Sequence, residues 1–118
     1  MAAGTVHIPW YATIFRGDKF AEALEEIAPV ALRYGATEQR VYRSQDDTYK
    51  FLQIATFARK VDFERYWYGE EFGDFRARYS SWYQVPVVYV WHDLVSQNAI
   101  VGPALEPAAD GGGNGAGA

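Results

Sequence analysis

The stretch Thr48 to Trp67, TYKFLQIATFARKVDFERYW, changes its hydrophobic period halfway, and that change decides the fold. From Thr48 to Ala58 the residues Tyr49, Phe51, Leu52, Ile54 and Phe57 predict a strand, because aromatic and branched side chains suit a pleated surface. From Asp62 onward Phe63, Tyr66 and Trp67 fall on one helical face. Phe72, Phe75 and Tyr79 continue that face past Gly69 and Gly73, where the helix is expected to loosen or break. A strand that runs into a helix is the beginning of a strand-helix-strand unit, so its remaining parts are sought on either side.

Upstream, Thr37 to Ser44, with Val41 and Tyr42, predicts another strand. Gln45-Asp46-Asp47 joins it to the next as a hairpin turn, since Asp tolerates turn dihedrals and bonds its own backbone. Before it, Phe20, Leu24, Ile27, Ala31 and Tyr34 repeat at spacings of four, three, four and three, which predicts a helix with Asp18 as N-cap and Gly35 as its left-handed end. Pro29 is expected to kink that helix or split it. Thr5 to Phe15 reads as the first strand and Val85 to Val95 as the last. The resulting order, β-α-β-β-α-β, predicts an α+β, ferredoxin-like domain: a four-stranded antiparallel sheet with two helices on one face. Residues 1–102 form that domain, and the Gly- and Ala-rich residues 103–118 read as a disordered tail.

The first and last strands carry large apolar side chains in both directions, with Tyr11, Phe15, Tyr89 and Trp91 expected on one side and Trp10, Ile14, Val88 and Val90 on the other. Helices cover only one face, so a second copy of the chain is the expected cover of the other, in a homodimer. With the last strand antiparallel beside the first, His7 and His92, the two histidines of the chain, are expected to be neighbours.

Composition narrows the function. A formal net charge of -4 argues against nucleic acid, whose binding needs clustered Lys and Arg. The third strand also lacks the Gly-aromatic signature of an RNA-binding sheet. The absence of cysteine excludes disulfides, thiolate metal sites and a cysteine nucleophile. No signal-like or membrane-spanning apolar run is present, so the expected location is cytoplasmic, with no membrane partner.

The run Phe51-Leu52-Gln53-Ile54-Ala55-Thr56-Phe57 leading into Asp62-Phe63-Glu64-Arg65-Tyr66-Trp67, within this order of elements, resembles the dimeric α/β-barrel superfamily and its antibiotic-biosynthesis-monooxygenase-like group. The resemblance covers about residues 5–96. It implies a pocket between sheet and helices, and either oxygenation of a small phenolic or quinol substrate without a bound cofactor or haem degradation. Haem-degrading relatives place an Asn, a Trp and a ligating His where this chain has Trp10 or Tyr11, Phe57, and Tyr66 or Trp67, so their haem chemistry does not carry over.

Cofactor-free oxygenation needs an apolar pocket for a flat substrate and a group that stabilises its anion. His7, His92 and Tyr11 are the candidate catalytic residues; Trp10, Gln53, Phe57, Tyr66, Trp67, Phe72, Tyr89 and Trp91 are the candidate substrate-binding ones. The plainer interpretation puts the histidines at strand ends in water and the rings in core and interface, which leaves a non-catalytic module that binds a small apolar ligand or a partner. His7, His92 and Asp93 do not suggest a metal site, because adjacent strand residues point to opposite faces. The pairs Glu70-Glu71 and Asp46-Asp47 read as solvated surface.

Overall fold

The computed structural model describes residues 3–102 together with 106 and 107. Apart from Glu106 and Pro107, the segment expected to form a disordered tail lies outside the described residues. Strand β1 spans Gly4–Tyr11, helix α1 Gly17–Ile27, and a 3₁₀ turn Ala28–Tyr34. Then follow β2 Ala36–Arg43, β3 Lys50–Phe57, α2 Lys60–Trp67, α3 Glu70–Arg78 and β4 Val90–Asp93. The sheet order is β2-β3-β1-β4 with every neighbouring pair antiparallel, which is the ferredoxin-like topology. Among the described residues no helix is long and apolar enough to cross a membrane.

Both expected helix breaks occur. Pro29 stands at the start of the 3₁₀ turn that continues from α1, where its missing N–H leaves no bond unmade. The turn ends at Gly35 with φ +107°, the left-handed conformation in which its N–H reaches back to the last carbonyls. Between α2 and α3 the break falls at Tyr68 and Gly69. A Cβ on Gly69 would stand 2.6 Å from the Arg65 carbonyl, so the close chain approach there requires glycine. Gly73 lies inside α3 with open space around it and breaks nothing.

Several boundaries differ from expectation. β1 stops at Tyr11 because the chain turns at Thr13, whose carbonyl takes the Arg16 N–H; Phe15 has φ +68° and is 80% exposed, so it and Ile14 are not strand core. Asp18 is not the N-cap, a place held by Arg16; it lies in the first turn of α1 and pairs with Arg43 at 3.0 Å. β4 is much shorter than Val85–Val95, pairing only with Gly4–His7. Beyond His7 the facing segments contain Pro9 and Pro86, neither of which has an N–H to give a ladder. The side-chain grouping also changes, since the register Val6↔Trp91 puts Trp91 on the same side as Trp10, away from Tyr11.

The core lies between the sheet and the helices. Val6, Ile8 and Trp10 of β1 and Phe51, Ala55 and Phe57 of β3 meet Phe20 and Leu24 of α1, Phe63 and Tyr66 of α2 and Phe72 of α3, all buried. Each large side chain so buried contributes about 1.5 to 3 kcal/mol. Asp62 is nearly buried beside them and is neutralised by Arg59 at 3.0 Å and Arg65 at 2.7 Å. Among the described residues no helix lies over the opposite sheet face.

Replacing Gly35 by Ala should destabilise the fold by about 1 to 2 kcal/mol, the cost of a Cβ in the left-handed region. Asp62 lies at ordinary contact distance from the added methyl, so the cost is conformational and not a clash. Urea unfolding of the two proteins measures it.

Candidate functional site

Alternation along β1 divides the candidate residues. Val6, Ile8 and Trp10 point towards the helices, whereas Thr5, His7, Pro9 and Tyr11 point to the uncovered face. β3 alternates likewise, sending Phe51, Gln53, Ala55 and Phe57 inwards and Leu52, Ile54 and Thr56 outwards.

The inner layer is a lattice of rings around one line of polar groups. The Trp10 indole packs edge-on against Tyr83 at 5.0 Å, Phe20 at 5.4 Å and Phe75 at 5.9 Å. Its Nε1–H donates to Gln53 Oε1 at 3.0 Å. Gln53 Nε2 then donates to the Tyr66 hydroxyl at 3.1 Å, which in turn donates to the Ile27 carbonyl at 2.7 Å. Burial holds the Tyr66 phenol far above its ordinary range, so it stays protonated and serves as a fixed donor.

Around this line Phe72 packs on Tyr66 at 4.6 Å and on Trp67 at 4.9 Å. Phe57 lies 6.4 Å from Tyr66, Tyr89 lies 4.7 Å from Phe63 and 5.2 Å from Trp67, and Trp91 stacks on Phe63 at 6.3 Å. Thus Trp10, Gln53, Phe57, Tyr66, Trp67, Phe72, Tyr89 and Trp91 all belong to one layer, and their rings fill it. Two recesses among the described residues lie at and beyond its edge. One of about 160 Å³ is bounded by Ile27, Glu71, Asp74, Arg78 and the layer's own Phe75, and one of about 250 Å³ by Lys19, Glu22, Ala23 and Trp82, with Glu26 and Tyr79 common to both.

His7, His92 and Tyr11 stand on the other side of the sheet. The two imidazoles are neighbours, with centroids 4.4 Å apart. Burial, and then the charge of His92, hold His7 below its ordinary pKa. Tyr11 donates to Asp47 Oδ2 at 2.8 Å, and this bond raises its phenol pKa. A strand layer therefore separates the expected acid-base residues from the expected substrate walls. The sequence held the signal for this: His7 and Tyr11 are odd-numbered on a strand whose core residues are even-numbered. Among the described residues no three His, Asp or Glu side chains cluster as metal ligands.

Arg76 was not among the expected site residues. Its guanidinium lies 4.0 Å from the Trp67 ring centroid and 5.0 Å from that of Phe72, in cation-π contact with both. The sequence signal was its position four residues after Phe72, on the same face of α3.

No family model matches the chain, and no curated protein does. Solved structures do match in fold. The "putative antibiotic biosynthesis monooxygenase" from Nitrosomonas europaea is 15% identical, with 79% of this chain and 90% of that one covered at a TM-score of 0.72. SnoaB from Streptomyces nogalater, a cofactor-independent oxygenase solved as a mutant, is 12% identical over 82% of this chain and 97% of its own, at 0.71. A protein of unknown function from Nitrosomonas europaea is 16% identical over 86% and 98%, also at 0.71. The chain thus has the ferredoxin-like fold that these solved structures share.

Gln53→Met keeps the volume but strands the Trp10 N–H, and should cost about 1 to 3 kcal/mol in urea unfolding. Acid should also weaken the fold. The folded chain holds the His7 proton less tightly than the unfolded chain, so stability is full above about pH 6.5 and falls as pH drops through that value towards the lower folded-state pKa. His7→Gln should flatten the loss of melting temperature between pH 7.5 and 5.5.

Proposed function

We propose that the chain is a homodimeric, monooxygenase-like protein that acts on a small aromatic or quinol compound with dioxygen and without a bound cofactor. The observation that carries this is the ring-lined layer between sheet and helices, in a fold shared with a cofactor-independent oxygenase. Trp10, Phe57, Tyr66, Trp67, Phe72 and Trp91 are its proposed walls, and Gln53 and Tyr66 fix their positions by hydrogen bonds. Tyr89 is the proposed gate. It is carried on the segment before β4 that pairs with no strand, and it is the ring a substrate would displace from Phe63 and Trp67.

In such a site the substrate supplies the electrons. A ring methylene or phenol that ionises passes electrons to dioxygen, one oxygen atom enters the product as a carbonyl, and the other leaves as water. The protein's contribution is to exclude water, hold the ring flat and stabilise the anion. His7, His92 and Tyr11 belong to the face that a second copy would cover, together with Pro9, Leu52, Ile54 and Val90 and with Tyr42, which is 47% exposed. This apolar stretch of sheet is the proposed dimer surface, and sedimentation equilibrium at neutral pH should give the mass of two chains.

The position of both histidines outside the ring layer favours a second reading: a dimeric module that binds a ligand without transforming it. Oxygen uptake separates the two. Over a panel of small quinols and phenols in air, the wild type should consume oxygen above the spontaneous rate, Trp67→Leu should lower that uptake about tenfold or more, and His7→Ala should leave most of it. Uptake lost in His7→Ala or His92→Ala would return the base to the sheet face. Tryptophan quenching by the same compounds with no uptake would establish the binding module instead.

A further inference from the structure

We propose that Arg76 is the anion-holding group of a ligand site at the Trp67 end of the ring layer, and that the ligand it selects is an acidic aromatic compound, a phenolate or an aryl carboxylate. The location rests on the function proposed above; the charge of the ligand is the new element.

Three observations converge on this residue. The first is its missing counter-ion. Arg33, Arg40, Arg43, Arg59, Arg65 and Arg78 each have a carboxylate partner within 4.0 Å, whereas among the described residues Arg76, like Arg16, has none. The second is its hydrogen bonding: Nη1 is shielded from solvent and finds no acceptor among the described residues. The third is its seat, over the Trp67 ring at 4.0 Å from the centroid, with Phe72 at 5.0 Å. The phenols of Tyr83 and Tyr66 near it are held above their ordinary pKa by burial and so are neutral at pH 7. A guanidinium in such surroundings keeps its charge, because its intrinsic pKa is too high for burial to neutralise it.

A desolvated cation without a partner costs stability, and an arriving anion removes that cost while making charge-assisted hydrogen bonds. The surroundings narrow which anion fits. Trp67 and Phe72, against the guanidinium, continue through Tyr89 to Phe63 as an aromatic wall suited to a flat ring and not to a hydrated inorganic ion. Arg76 is also held from behind, since its own carbonyl accepts the Tyr83 hydroxyl at 2.9 Å and so fixes the turn of α3 that carries it.

The test uses two probes of nearly the same shape, 1,4-dihydroxy-2-naphthoate and the neutral 1,4-dihydroxynaphthalene. Their binding to the full chain is followed anaerobically by tryptophan fluorescence. The acid should bind about tenfold more tightly than the neutral quinol to the wild type. Arg76→Met should abolish that preference without lowering the melting temperature, because the variant no longer desolvates an unpaired charge. Arg76→Lys should be intermediate, as a point charge without the planar fork. Equal binding of both probes by the wild type, binding of neither, or a preference that survives in Arg76→Met would overturn the assignment. Equal loss of both probes with a lowered melting temperature would also overturn it, marking Arg76 as a packing residue. Oxygen uptake read in parallel keeps the two proposals apart: acid preference without uptake removes the oxygenase function and leaves the anion site, and uptake without acid preference does the reverse.

Discussion

The side-chain amide of Gln53 joins four parts of the molecule at once. It sits at the middle of β3, takes a hydrogen bond from Trp10 of β1, gives one to Tyr66 of α2, and through that hydroxyl reaches the carbonyl of Ile27 at the end of α1. It is wholly buried among aromatic rings, where any unpaired polar group would be costly. The indole, amide and phenol therefore have one arrangement that satisfies them together, and it sets how the helices lie on the sheet. The rings of Phe20, Phe57, Phe72 and Phe75 pack around that fixed line.

The sheet is consequently a partition with two different surfaces. On the helix side it is closed and aromatic. On the other side β1 and β4 place the two imidazoles together beside Ile54 and Val90, with no helix above them among the described residues. A chemistry that needs a base next to a ring-bound substrate cannot draw it from His7 or His92 without crossing the strand layer. Arg76 enters from the helix side instead, already in contact with the rings, and supplies positive charge rather than a proton acceptor. For an oxygenation driven by the ionised substrate, charge near the ring is the more useful contribution.

A half-buried guanidinium with an unpaired N–H is a poor choice for stability alone. Local departures from the best-packed arrangement of this kind gather where a fold carries function. By contrast Asp62, the other charge close to the core, is paired twice and behaves as structure.

Element order was legible in the sequence because hydrophobic period is a local property. The stripe from Phe20 to Tyr34, the strand Phe51 to Phe57 and the change of period at Asp62 each follow from a few neighbouring residues, and so do the breaks at Pro29 and Gly69. The contents of the ring layer were legible too, since large apolar residues on these elements have only one interior to enter. What the sequence did not determine was how far β4 pairs and which charges lack partners. The length of β4 depends on how the segments that carry Pro9 and Pro86 face each other, and the side on which Trp91 falls depends on the register of β4 against β1. The isolation of Arg76 depends on where six other arginines find their carboxylates. These are relations between residues far apart in the chain, so only the packed tertiary structure could decide them.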